Sequence, residues 1–269
     1  MLLAVDIGNT NIVFGLYQGQ KLAHTFRVST DRARTEDEYG VLLRALFSLH
    51  ALEATAVQAC IIASVVPPLT NVLTQAIRTA FAREPLVVGP GLKTGMPVLY
   101  ENPHEVGADR VVNGVAAYER VKRGVIVVDF GTATTFDCIT PKGEYLGGVI
   151  VPGVQVALDG LLGRAAKLKP IEIAEPPRVL GRNTTHALQS GVIHGNAAMA
   201  DGLIERLEAD LGFDCAIIAT GGLAPLVARH TTKIRDIDPN LTLEGLRIVH
   251  ERNAEGDSRS ERGRKRPKP

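Results

Sequence analysis

Two acids stand at matching places in the chain. Asp6 lies in "LLAVDIGNTNIVFG" and Asp129 in "GVIVVDFGTATTFDCIT"; each ends an apolar run, and each precedes a glycine by two residues, Gly8 and Gly131. Small polar side chains follow, "NTN" at 9–11 and "TAT" at 132–134. A turn built from such residues lets backbone N–H groups approach a ligand closely, because no side chain stands in the way. Hydroxyl and amide donors on Asn9, Thr10 and Asn11 add to it, and the loop suits phosphate oxygens. An acid there would repel phosphate unless a hard cation such as Mg²⁺ lay between them. The alternative is that each Asp only closes a strand with an Asx-turn. Occurring as a pair, and followed by the "AIIATGG" run at 216–222, the two motifs favour nucleotide binding over plain turns.

A third candidate is "GADR" at 107–110, which opens the helix-like stretch "GADRVVNGVAAYERV". From spacing alone Asp109 is a helix cap or first-turn acid and Arg110 a surface ion-pair partner. On residue type Tyr100 is a half-buried packing residue, and Thr184 caps the helix that follows it. Rival chemistries are missing from the sequence. There is no G-x-x-x-x-G-K-[ST], and "VVGPGLKTG" at 87–95, the nearest approach to G-x-G-x-x-G, has a central proline that makes it an irregular loop. The seven histidines show no metal-ligand spacing, and no nucleophile elbow is present. Cys60, Cys138 and Cys215 sit in strand-like runs with no C-x-x-C, as small apolar core residues.

The elements that must hold these residues repeat as well. After each acid-glycine turn comes a second strand, a tight turn ("YQGQ", "TPKGEY") and a third strand ("KLAHTFRVST", "YLGGVIVP"). Helices fill the remainder. Thr35 caps "EDEYGVLLRALFSLH", a helix starts at the prolines after "ACIIASVV", and a long small-residue helical region runs from Thr184 to Leu211, broken or pinched near Gly191 and Gly195. Strands alternating with helices behind leading hairpins imply two similar α/β layers produced by duplication. The expected division is 1–122 and 123–251, followed by a tail at 252–269.

The tail "RNAEGDSRSERGRKRPKP" carries seven basic and three acidic residues, and the other 251 residues sum to −3 against a net charge of +1. It has no large apolar residue to bury, so disorder is expected, and no aromatics for stacking on nucleic acid. Composition, 45% hydrophobic and 22% charged, is that of a soluble globular protein. No apolar run is long enough to span a membrane and no leader is visible, so the cytoplasm is the expected location, with no membrane partner.

Asp-x-Gly-Asn-Thr, the second Asp-x-Gly-Thr-Ala-Thr and the late Gly-Gly turn resemble the actin, sugar-kinase and Hsp70 ATPase superfamily. "DIGNTN", "NPHEVGADRVVN", "DFGTATTFD", "GGVIVPG" and "GRNTTHALQSGV" together look like type III pantothenate kinase, in order from Met1 to about His250. The resemblance implies two actin-like (ribonuclease H-like) α/β domains with the active site in the cleft between them. It implies ATP-dependent phosphorylation of pantothenate, the first step toward coenzyme A, with Asp109 as general base. It assigns Asp6, Ile7, Gly8, Asn9, Thr10, Asn11, Ile12, Val13 and Thr132 to the nucleotide. Tyr100, Gly107, Ala108, Asp109, Arg110 and Thr184 go to the substrate. Asp129 would hold a monovalent cation (potassium or ammonium), and Asp6 would hold Mg²⁺ through water. The adenine would lie near Gly221 and Gly222. The resemblance also implies a homodimer, for which the helix after Thr184 is a candidate face, although Gly191 and Gly195 could equally serve close packing within one chain. Another small-molecule kinase of the superfamily, or a non-catalytic ATP-binding regulator, would keep both loops without needing "GADR".

Overall fold

The computed structural model describes residues 1–264. The chain folds as two compact units, one comprising Met1–Pro97, Glu101–Ala116 and the chain from Thr242 onward, the other Val98–Tyr100 and Ala117–Leu241.

In the first unit, β1 (Leu2–Ile7), β2 (Asn11–Gln18) and β3 (Lys21–Ser29) form an antiparallel meander, β4 (Ala59–Ser64) pairs with β1 in parallel, and β5 (Pro85–Val87) pairs with β4 in parallel. The order is β3-β2-β1-β4-β5. Strand alternation sends Leu3, Val5 and Ile7 to one face, where they meet Tyr39, Leu43 and Phe47 of α1 (Glu36–Leu49) and Leu69, Leu73 and Ile77 of α2 (Pro67–Phe81). Asp6 therefore points to the opposite face. Thr35 caps α1 in a reciprocal capping box with Glu38, and Pro67 occupies the first turn of α2.

The second unit repeats the plan. β6 (Val125–Phe130), β7 (Ala133–Ile139) and β8 (Tyr145–Pro152) are antiparallel, and β9 (Ala216–Thr220) and β10 (Asp236–Ile237) extend the sheet in parallel. Read from β8, the order is again third-second-first-fourth-fifth. Val154 of α4 (Val154–Leu162) and Ile193, Ala197, Ala200 and Ile204 of α5 (Thr184–Leu211) cover Ile126, Val128, Phe130 and Phe136. Two mixed five-stranded sheets of one topology make this an actin-like, ribonuclease H-like α/β protein.

Three expectations are corrected. Helix α5 is unbroken over 28 residues. A Cβ at Gly191 or Gly195 would meet nothing within 4 Å, so neither glycine serves close packing within the chain. Burial of the Ser190-Ile193-Ala197-Ala200-Ile204 stripe holds the helix through both. Second, α3 (Ala108–Val121) passes from one unit to the other at Ala116/Ala117 rather than ending the first at 122. After the short α6 (Ala224–Val227), the last helix, α7 (Leu241–Arg264), returns to the first unit: Leu243 lies over Gly15, Gly245 against the Val112 carbonyl, and the Thr242 hydroxyl donates to Asn113 Oδ1 at 2.8 Å. Third, the expected tail begins inside α7. Arg252 donates to the Thr94 carbonyl, and Asn253 exchanges hydrogen bonds with the Lys93 backbone at 3.0 and 3.2 Å. Extending a helix already nucleated needs no apolar face, so α7 continues to Arg264. Residues 265–269 lie outside the described residues.

Candidate active site

Asp6 pairs with Val13 on β2 and Ala63 on β4, at the carboxyl end of the central strand. The chain then turns through Gly8–Thr10. The Gly8 amide donates to the Asn11 carbonyl at 3.0 Å, and a Cβ on Gly8 would stand 3.0 Å from that oxygen. Two bonds from Thr30 brace the turn, hydroxyl to the Gly8 carbonyl at 2.7 Å and amide to the Thr10 carbonyl at 2.9 Å. Asn9 and Thr10 are left exposed at the tip, whereas Ile7 and Ile12 are wholly buried and can offer a ligand only their backbone.

The amino end of α3 is linked through Val65 to Ile7, the last residue of β1. Asn102 caps a 3₁₀ turn at Pro103–Glu105 by accepting from the His104 amide, and its own amide reaches Glu105 at 2.9 Å. "NPHE" thus bends the chain into Gly107, whose carbonyl accepts from Val111 to start α3. A Cβ at Gly107 would lie 2.4 Å from Asp109 Oδ1 and 3.3 Å from Val65, and the Val65 amide donates to the Ile7 carbonyl. With glycine at 107 the carboxylate folds back over that position, and a larger residue would push it aside. Asp109 is a first-turn residue rather than the cap, and its Oδ1 accepts from the Arg110 amide at 2.8 Å. Burial pushes the Asp109 carboxyl above its ordinary range, opposed by the Arg110 amide and guanidinium charge. Arg110 itself is buried, not a surface ion-pair residue.

In the second unit Asp129 occupies the place of Asp6, paired with Thr135 and Thr220. Glycines enclose it. A Cβ on Gly221 (φ +94°) would come 2.5 Å from Asp129 Oδ1, and one on Gly131 3.3 Å. Gly153 lies against the carbonyls of Gly131 and Thr132, and its amide donates to the latter at 3.1 Å. The sequence reading missed Gly153 as a loop support, although "VIVPG" marked it. Oxygen donors cradled by glycine backbone fit a hard cation at Asp129 and, through water, at Asp6. Among the described residues no three His, Cys, Asp or Glu side chains converge on a metal.

Tyr100 is half-buried on the same unit. It is seated on β8 by the Val98–Tyr145 bridge and the Leu99 amide bond to the Tyr145 carbonyl at 2.8 Å. Its ring lies over Gly147 and edge-on to Tyr145, with centroids 6.5 Å apart. The Tyr145 hydroxyl is fixed by the buried Asp137 carboxylate at 2.7 Å. Thr184 is the exposed first residue of α5, but the cap is Asn183, which accepts from the His186 amide at 2.8 Å. The cysteines are free thiols, with burial pushing Cys60 up to about 12 and Cys215 to about 11, which leaves both unreactive.

Duplicated ribonuclease H-like units, each with an acid and a glycine turn at the end of its central strand, define the actin-like fold class. Solved structures agree on the fold. A Baf family protein from Campylobacter jejuni superposes with a TM-score of 0.57 at 18% identity, over 94% of this chain and 99% of that one. Component A of (R)-2-hydroxyglutaryl-CoA dehydratase from Acidaminococcus fermentans gives 0.52 at 11%, over 92% and 95%. At such identities the likeness concerns the fold alone. The sequence profile of type III pantothenate kinase matches residues 2–206. Type III pantothenate kinases from Myxococcus xanthus and Moorella thermoacetica are 52% and 53% identical over 253 residues, covering 94% of this chain and 99% and 100% of theirs. The chain belongs to the type III pantothenate kinase family and is an enzyme of that family.

Proposed function

We propose that the protein transfers the terminal phosphoryl group of ATP to the primary hydroxyl of pantothenate, with Asp109 taking the hydroxyl proton. The observation that carries this reading is the desolvated Asp109 carboxylate folded over Gly107, on the helix end that Val65 links to Ile7 just before the Gly8–Thr10 turn. Phosphoryl transfer asks a protein mainly for positioning and charge neutralisation, plus a group to orient the nucleophile. The Asp6–Val13 loop and Thr132 hold the nucleotide. Tyr100, Gly107, Ala108, Arg110 and Thr184 hold pantothenate, with the Arg110 guanidinium suited to its carboxylate.

Mg²⁺ would accompany ATP, with Asp6 to hold it through water, and Asp129 would hold potassium or ammonium; both ions would supply positive charge toward the phosphates. Two copies associate through the exposed face of α5, where Gly191 and Gly195 leave the backbone open to close approach. Nucleic acid has no part in this reading, and among the described residues no helix is long and apolar enough to cross a membrane. Dependence on ATP, together with three free thiols, favours the cytoplasm.

The test is a coupled ADP-release assay with pantothenate, MgATP and either potassium or sodium. Pantothenate-dependent turnover that needs potassium or ammonium supports the reading. No turnover with either cation would refute the activity, and full turnover in sodium alone would refute the role of Asp129.

A further inference from the structure

We propose that Arg32 is a phosphate-binding residue, which supplies the fixed positive charge that the Gly8–Thr10 turn lacks. The inference rests on the reading of that turn as a nucleotide loop. The chain after β3 is tied to the turn by the two Thr30 bonds described above. It is tied to the core by Tyr39, a fully buried residue whose hydroxyl donates to the Asp31 carbonyl at 2.9 Å and accepts from the Asp31 amide at 3.2 Å. The segment therefore carries its side chains at set positions beside the loop.

Two arginines and one acid follow one another here, and the acid is taken by the far arginine. The Asp31 carboxylate accepts from the Ala33 amide at 3.0 Å and pairs with Arg34 Nε at 3.4 Å, while Arg34 also lies 5.9 Å from the Tyr39 ring centre. Arg32 has no carboxylate partner among the described residues. Its one hydrogen bond to them is from Nη2 to Asn9 Oδ1, 2.9 Å, at the exposed tip of the turn. An uncompensated guanidinium, held by a single neutral contact and with further N–H donors unspent, stands beside backbone amides that already suit phosphate oxygens. Its place at the tip of that turn points to the polyphosphate of ATP rather than to pantothenate.

Arg32→Ala, Arg32→Gln and Arg32→Lys separate charge from bracing. Glutamine keeps a donor for Asn9 but loses the charge. If Arg32 binds phosphate, Ala and Gln should both lower kcat/KM for ATP by about 10- to 100-fold, the scale of one charge-assisted contact. Lys should recover part of the loss, and KM for pantothenate and Tm should stay near wild type. ATP and ADP binding should weaken while adenosine binding does not. A kcat/KM for ATP within twofold of wild type in Arg32→Gln would overturn the proposal and leave Arg32 only a loop brace. A wild-type protein inactive on pantothenate but weakened in ATP binding by Arg32→Gln would sink the proposed activity and not this inference.

Discussion

Replacing Asp109 by Asn removes the proposed proton acceptor while keeping the shape of the side chain. Its Oδ1 can still accept from the Arg110 amide, so the fold of the Gly107–Arg110 turn should survive. General-base catalysis contributes on the order of 10²–10⁴-fold, and kcat should fall by about that factor. The effect on stability has two opposing parts. A carboxylate in the first turn of α3 gains about 0.3–1 kcal/mol from the helix dipole, which asparagine forfeits. Against this, burial raises the folded pKa of Asp109 above its unfolded value of about 3.9. The stability tied to the neutral form is fully present below the unfolded pKa and is lost as pH rises through the folded one. At pH 7 the wild-type protein bears that loss and the Asn variant does not, so Tm should move by only a few degrees. The raised pKa also places the acid limb of kcat/KM above the range of an ordinary aspartate, and Asp109→Asn should abolish that limb. Single-turnover rates from pH 4.5 to 8.5, with pantothenate affinity and Tm on the same protein, test all three. Turnover near wild type in Asp109→Asn would refute the general-base assignment, and an unchanged acid limb at reduced rate would move the titrating group elsewhere.

Truncation after Ala254 should leave activity and Tm near wild type, whereas truncation after Glu251 removes the Arg252 and Asn253 bonds to Lys93–Thr94. At about 0.5–1.5 kcal/mol per bond, thermal melts should show the shorter chain several degrees less stable; equal Tm values would show that these contacts contribute nothing. Gly221→Ala places a Cβ 2.5 Å from Asp129 Oδ1 in a left-handed backbone conformation. It should cost about 1–3 kcal/mol in denaturant titration and weaken potassium activation, and an unaltered potassium response would show that the Asp129 carboxylate need not be held in place.

The acid-glycine turns, their duplication and the Thr35 cap were legible in the sequence because each is settled within a few residues. A strand must end, a turn needs glycine, and a helix start needs a side-chain acceptor. The tight "NPHEVGADR" bend is local in the same way, and it put Asp109 at the head of a helix before any fold was known. The continuity of α5 was not legible. Two glycines weaken a helix locally by about 1 kcal/mol each, and only the sheet beneath Ile193, Ala197, Ala200 and Ile204 outweighs them. Tertiary structure alone returns α7 to the first unit, since the apolar positions Leu243, Leu246 and Val249 do not say which sheet they cover. It also seats Tyr100 on Gly147 beside Tyr145 and brings Arg32 to Asn9 across 23 residues. Such pairings depend on how strands register and helices pack, and residue type at either end carries no record of its partner.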